Sequence, residues 1–373
     1  MNAISAHRIF MRAAFSAAHA FAWVAAFQFF VERSLSLTLA LSSVAFTYAL
    51  SHVIVVLLTP LAAAHLRHGV RRSMVAATLA AAAGFAAFSG GMNSDMAWGI
   101  TAFALLLGVY RALYFVPYGL LPAKRATGSE ILIALMPAAA GVLIASTHFP
   151  AYLYACAAVI ICVSVFPLFR VTERHEGFAW SYRGTFHQLV ARDNRQLLLL
   201  SLCEGVEGAA LLLIWPLAVW MLLAQSFPLL GVVLSLTLLV SMMVRTGLRG
   251  AGFVATPLVS STVILSSWVL RIFAANAGAV ILIDTYAGAA DESRRGMDTA
   301  VHEQVADNRS FVDEYTALKE MATSLGRIML CVLIGVLAPL SSLSAIFAGT
   351  FVIAACAGAI SLYATHRRPR ASF

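Results

Sequence analysis

Apolar runs of membrane-crossing length recur along the whole chain, separated by short polar breaks. Allowing ~20 apolar residues per crossing, they divide into twelve spans. The first six lie near 13–31, 38–62, 74–89, 97–120, 131–147 and 151–169, and the second six near 197–223, 228–244, 253–270, 273–290, 322–340 and 344–364. The pattern predicts an all-α integral membrane protein with twelve transmembrane helices. Because the first run is followed at once by others, it reads as a transmembrane helix and not as a cleaved signal peptide.

The longest polar interruption in the middle is RVTERHEGFAWSYRGTFHQLVARDNRQ, residues 170–196, with six spans on either side. The expected organisation is a six-helix bundle over 1–169, a cytoplasmic central loop over 170–196 and a second six-helix bundle over 197–373. A further polar stretch, 291–320, carries mixed charges and the heptad-like Val301, Val305 and Val312. It reads as a solvated connector or as an amphipathic cytoplasmic helix that contacts a partner.

Charge placement tests the count of spans. The chain is 61% hydrophobic and 11% charged, and a soluble domain carries about twice that charged share. With the N-terminus inside, 21 of the 25 lysines and arginines fall in cytoplasmic segments. Only Arg33 and Arg271 fall on the opposite side, while Arg111 and Arg327 lie within spans. This asymmetry follows the positive-inside rule and places both termini in the cytoplasm. It also assigns the +8 net charge to topology and not to nucleic-acid binding. The five cysteines all lie in apolar segments without metal-ligand spacing, so they read as packing residues; no metal or cofactor is expected.

After the second span comes R-H-G-V-R, with Arg67, Gly69 and Arg71; after the eighth comes R-T-G-L-R, with Arg245, Gly247 and Arg249. The same pattern at equivalent places suggests two pseudo-symmetric six-helix bundles built as parallel repeats. Over essentially its whole length the chain resembles the major facilitator superfamily, in its poorly characterised bacterial members. That family's signature G-x-x-x-D-R-x-G-R-R is matched here at Arg67, Gly69 and Arg71, whereas Ala62 and Leu66 stand for its leading Gly and its Asp. Arg111 resembles the fourth-span arginine of proton-coupled members, although Phe115 replaces the glycine that follows it there. The resemblance implies a transporter in the bacterial inner membrane. Arg67, Gly69, Arg71, Arg245, Gly247 and Arg249 would form its conformational gating loops, and spans one, four, seven and ten its central cavity.

Charges at membrane depth cost ~2.5–3.5 kcal/mol each and face interiors or wet cavities. Here they are Arg111 on span four, Glu204 and Glu207 on span seven, Asp284 on span ten, and Arg327. A rise of ~1.5 Å per residue allows Arg111, Glu204, Glu207 and Asp284 to meet in one layer. Glu204 and Glu207 share a helical face, and their repulsion in a low-dielectric site suits one of them, Glu207 first, to exchange protons. Glu204 is alternatively solvated or paired with Arg327. Arg111 is read as a counter-ion to Asp284, a substrate anchor or a structural ion-pair member. His19 and His52 are relay candidates. Tyr114 and Trp215, with Trp23, Gln28, Tyr110, Tyr118 and Tyr286, supply aromatic and polar cavity groups.

These features point to a secondary transporter that moves a small organic solute by alternating access, coupled to protons, with export the favoured direction and a monomer in membrane lipid the expected state. The alternatives are a non-transporting sensor or assembly factor on a transporter fold, or a membrane-embedded enzyme. The chain has no P-loop, HExxH or G-x-S-x-G motif, and it is not read as an enzyme.

Overall fold

The computed structural model describes residues 3–33, 35–120, 127–147, 149–251, 257–289 and 312–366. Every regular element among them is helical. The first half of the chain forms α1 (Ala3–Glu32), α2 (Leu37–His65), α3 (Val70–Asn93), α4 (Trp98–Leu120), α5 (Thr127–Thr147) and α6 (Pro150–Val163). A short helix α7 (Tyr182–Val190) lies in the central linker. The second half forms α8 (Arg195–Ala209), α9 (Trp215–Leu222), α10 (Phe227–Gly250), α11 (Pro257–Ile272), α12 (Ala277–Ala289), α13 (Val312–Leu337) and α14 (Leu343–His366).

Among the described residues, ten helical segments are long and apolar enough to cross a membrane. The expected spans nine and ten are represented by the shorter apolar helices Val259–Ile272 and Ala277–Ala289. Val301 and Val305 of the 291–320 stretch lie outside the described residues. Large apolar side chains such as Leu61, Val142, Val159, Leu282 and Leu340 stand exposed on the outer faces. A belt of this kind needs lipid against it, and the chain is a multi-pass membrane protein.

Proline inside a membrane helix leaves the carbonyl four residues earlier without its donor. Serines on neighbouring helices answer this twice. Pro117 frees the Leu113 carbonyl, and Ser73 Oγ of α3 donates to it at 3.0 Å. Pro137 frees the Ile133 carbonyl, and Ser16 Oγ of α1 donates to it at 2.9 Å. At Pro216 the backbone adjusts instead: residues Ala210–Ile214 take a π-helical turn, closed by the Trp215 N–H on the Ala210 carbonyl. This turn joins α8 to α9 and sets the direction of the Trp215 side chain.

The two halves of the chain meet along α2 with α13 and along α5 with α10. Ser42 Oγ donates to the Gly335 carbonyl at 2.6 Å, and the Ala138 N–H donates to Ser235 Oγ at 2.8 Å. Phe27 meets Trp220 and Phe21 meets Phe227 with ring centroids 6.2 and 6.1 Å apart. Within the second half, α8 and α13 cross at glycine: a Cβ on Gly205 would strike the Thr323 carbonyl, and one on Gly326 the Leu202 carbonyl. Close backbone approach of this kind replaces the hydrophobic effect as the source of helix association in lipid.

The central linker is not a free loop. Its Glu173 accepts the Arg71 N–H at 2.9 Å and pairs with Arg71 Nε at 3.0 Å, while the Val70 N–H donates to the Arg174 carbonyl at 2.8 Å. The linker then reaches α13, where Glu314 accepts the Ala179 N–H at 2.9 Å and Trp180 packs edge-on to Tyr315. Leu189 of α7 joins Val56 of α2 and Leu318 and Met321 of α13 in a second apolar cluster.

Replacing Gly326 by Val should destabilise the folded protein by ~1–3 kcal/mol through overpacking at the α8–α13 crossing. Scanning fluorimetry in detergent would read this as a lowered Tm. Gly349→Val, at a position with no atom within 4 Å of an added Cβ, should leave the Tm unchanged.

Candidate functional site

Arg111 is the centre of the polar interior. It is 6% exposed and donates to Ser51 Oγ at 3.2 Å, His52 Nε2 at 2.7 Å and His19 Nε2 at 3.2 Å. Tyr48, Ser51 and His52 share one face of α2, and the Tyr48 ring lies 5.5 Å from the guanidinium carbon. A guanidinium is all donor. Each imidazole must therefore present a lone pair at Nε2 and carry its proton on Nδ1, so both histidines are neutral in this arrangement. The His52 Nδ1–H then donates to Ser324 Oγ at 3.2 Å. That bond ties the Arg111 cluster to α13 in the other half of the chain.

On α13, Glu320, Ser324 and Arg327 recur at helical spacing. Arg327 stands within electrostatic reach of His19, His52 and Arg111. Glu320 stands within reach of Arg111, Arg327, Glu204 and Lys319. His19 and Glu320 are only partly buried, so both keep surface accessible to solvent or a ligand. Gly208 makes room here, since a Cβ on it would come within 3.3 Å of Arg327 Nε.

The four intramembrane charges expected to share one layer separate into distinct environments. Asp284 does not pair with Arg111. Its Oδ1 accepts Arg271 Nη2 at 2.8 Å and its Oδ2 accepts the Trp215 indole N–H at 2.9 Å. Arg271, expected outside the membrane, is 5% exposed, donates to Ser267 Oγ at 3.1 Å and lies 4.4 Å from the Trp268 ring centroid. The turn over 273–276 brings the end of α11 beside α12, so the long arginine side chain reaches the carboxylate. Glu204 is half-exposed and pairs with Lys319 at 3.3 Å, not with Arg327. Glu207 is 7% exposed and lies against Gly358 of α14.

Tyr114 is occupied by structure: His7 donates from Nδ1 to the Ser164 carbonyl at 2.8 Å, and its Nε2 accepts the Tyr114 O–H at 3.1 Å. Arg67, Gly69 and Arg71 do form a turn, with Gly69 at φ 126° and its α-carbon face against Glu173. Arg245, Gly247 and Arg249 do not. They lie inside α10, which runs on to Gly250, because nothing in R-T-G-L-R forces the backbone out of the helix. Arg245 Nε donates to the Ser241 carbonyl at 3.2 Å, as an intrahelical contact.

Sequence patterning missed Glu320 because it falls in a stretch read as cytoplasmic connector, and missed Ser51 and Ser324 because hydroxyls carry no signal in apolar runs. Spacing held the only clue: Ser51 and His52 share a helical face, and Glu320 and Arg327 are two turns apart.

No family model matches the chain, and no curated protein matches it in sequence. Solved structures do match. The nucleoside transporter NupG superposes with a TM-score of 0.63 at 11% identity, over 98% of this chain and 99% of that one. A POT family transporter in complex with a thioalcohol-conjugated peptide gives 0.64 at 10% identity, over 97% and 96%. A D-xylose–proton symporter gives 0.63 at 13% identity, over 99% and 98%. The likeness is one of fold, which the chain shares with these solved transporters. Leu66 is 1% exposed and carries no acid at the start of α3, where Glu173 of the linker accepts the Arg71 N–H.

Because Asp284 and Arg271 satisfy each other in a nearly dry site, removing one partner should cost more than removing both. Asp284→Asn and Arg271→Gln are each expected to destabilise by ~3–5 kcal/mol, and the double variant by less than either single one. Thermal unfolding of the three purified variants measures this.

Proposed function

We propose that this protein is a secondary active transporter that moves a small organic solute by alternating access, coupled to protons. In this reading residues 1–169 and 197–373 are the two moving units, strapped together by 170–196, in a bacterial inner membrane with both termini cytoplasmic. The single observation that carries the reading is the Arg111–His19–His52–Ser324 network. A proton arriving at Nε2 of either histidine removes the lone pair that Arg111 uses and adds a second positive charge beside it. Imidazole and guanidinium must then part, and the His52–Ser324 bond passes the rearrangement to α13. The groups that face this exchange are Arg111 on α4, Tyr48 and Ser51 on α2, and Glu320, Ser324 and Arg327 on α13. The names of the similar structures, carriers of nucleosides, of peptides and of xylose with protons, support the same reading.

The reading also moves the coupling site. Glu207, against Gly358, is kept as a supporting acid of the second half, and His19 and His52 take the leading role. Glu204 and Lys319 flank the track that leads inward to Arg111.

The test is proton movement in proteoliposomes under an imposed pH gradient, with succinate, glucose 6-phosphate, uridine, dialanine and xylose as probes. The intact protein should carry protons when one probe is added. His52→Gln, which preserves an acceptor but cannot take up a proton, should lower that probe-driven flux about a hundredfold, the scale of removing a proton-transferring group. Unchanged flux in both His52→Gln and His19→Gln would end the proposal for this cluster.

A further inference from the structure

We infer that the solute is an organic anion, bound by Arg111 and Arg327 and carried together with a proton. The inference rests on the transporter reading above and specifies its substrate class. Four observations lead to it.

First, Arg111 is a buried cation held only by neutral acceptors. Ser51, His52 and His19 satisfy its donors, yet none of them neutralises its charge. Buried charges in proteins are paired, and a site whose second charge arrives with a ligand is one way to meet that requirement. Second, Arg327 Nε is buried without a hydrogen-bond partner, beside Gly208, which leaves the guanidinium its space. Third, the charges nearby do not cancel. Glu204 and Lys319 neutralise each other, and Glu320 offsets one of the two guanidinium groups, so the layer keeps an excess positive charge. Fourth, this layer borders accessible space, since His19 and Glu320 beside the two arginines are only partly buried.

The contrast with Asp284 sharpens the choice of site. There Asp284 pairs with Arg271 and accepts the Trp215 N–H, so although Arg271 Nε also lacks a partner, the guanidinium charge is already matched. At Arg111 and Arg327 the forked donors match a carboxylate or phosphate. An anion that takes the Arg111 donors displaces His19 and His52. Their freed Nε2 lone pairs can then accept a proton, and the new positive charge is offset by the bound anion. Solute and proton thus favour each other's binding, which is the thermodynamic requirement for symport. An inward proton gradient would drive uptake, opposite to the export expected from the acidic residues alone.

The experiment separates the substrate class from the transport reading. Purified full-length protein in detergent is titrated with succinate, acetate, glucose 6-phosphate and inorganic phosphate, and in parallel with tetraethylammonium and xylose, by thermal shift and calorimetry. At least one of succinate, acetate and glucose 6-phosphate should bind, more tightly at lower pH, and Arg327→Gln should weaken it at least about tenfold while the ligand-free Tm stays near that of the parent. Arg327→Lys, which keeps charge but loses the fork, should fall between them and serves if the glutamine variant does not fold. Binding of organic probes but not of inorganic phosphate assigns the site to solute and not to free phosphate. The inference is overturned if no anionic probe binds at millimolar concentration, if the cation or the sugar binds instead, or if Arg327→Gln binds the anion unchanged. Anion binding that needs Arg327 but gives no flux in liposomes upholds the ligand class and removes the carrier reading. Proton-driven flux of xylose or tetraethylammonium does the reverse.

Discussion

A buried guanidinium with no carboxylate beside it constrains everything around it. Arg111 cannot lose its proton under ordinary conditions, so its donors must find lone pairs, and it finds them on α1 and α2. That requirement fixes the tautomer of His19 and of His52. The second tautomer fixes a hydrogen bond to Ser324 on α13. One charge thereby orders helices from both halves of the chain, and any event that changes an imidazole at Nε2 is felt on both sides of the interface.

The rest of the packing keeps the backbone covered. Serines from adjacent helices cover the carbonyls that Pro117 and Pro137 release, so the prolines bend helices without leaving polar groups in lipid. Glycine at 205 and 326 lets α8 and α13 touch at the backbone, which keeps α13, the bearer of Glu320, Ser324 and Arg327, fixed to α8. The Asp284–Arg271 pair plays the opposite part to Arg111. It is satisfied within its own half, walled by Trp215 and Trp268, and is suited to hold α9, α11 and α12 as a unit. Two intramembrane arginines thus have different roles for a physical reason: one charge is matched and the other is not.

The helices were legible in the sequence because a membrane span is written in composition, which needs no partner to be read. The charged site was legible only as a set of candidates. Depth along a helix follows from residue count, which makes Arg111, Glu204, Glu207 and Asp284 candidates for one layer; azimuth and neighbours do not follow, so the pairing of Asp284 is not readable from spacing. Asp284 went to Arg271 because the turn at 273–276 brings α11 and α12 together, a fact about contact and not about spacing. The second R-x-G-x-R was misread as a loop for a related reason. Gly69 has φ 126° and ends a helix, whereas Gly247 lies within α10, and a five-letter pattern does not distinguish the two.

The linker adds a counterweight to the central network. Glu173 accepts the Arg71 N–H at the start of α3, and the linker continues to Glu314 on α13, so the two halves are joined at that end by contacts that must yield if they separate there. The Glu173–Arg71 pair is partly exposed, which keeps it modest in strength. The buried Glu314 contributes one charge-assisted bond of ~1.5–3 kcal/mol, and the His52–Ser324 bond about 1 kcal/mol. In the proposed carrier, a solute that binds one arrangement only would stabilise it by about 2.7 kcal/mol at a concentration a hundred times its Kd, the same order as these contacts together. On that reading such a solute is enough to shift the balance between two arrangements, and a linker held much more strongly than this one would keep the protein in a single state.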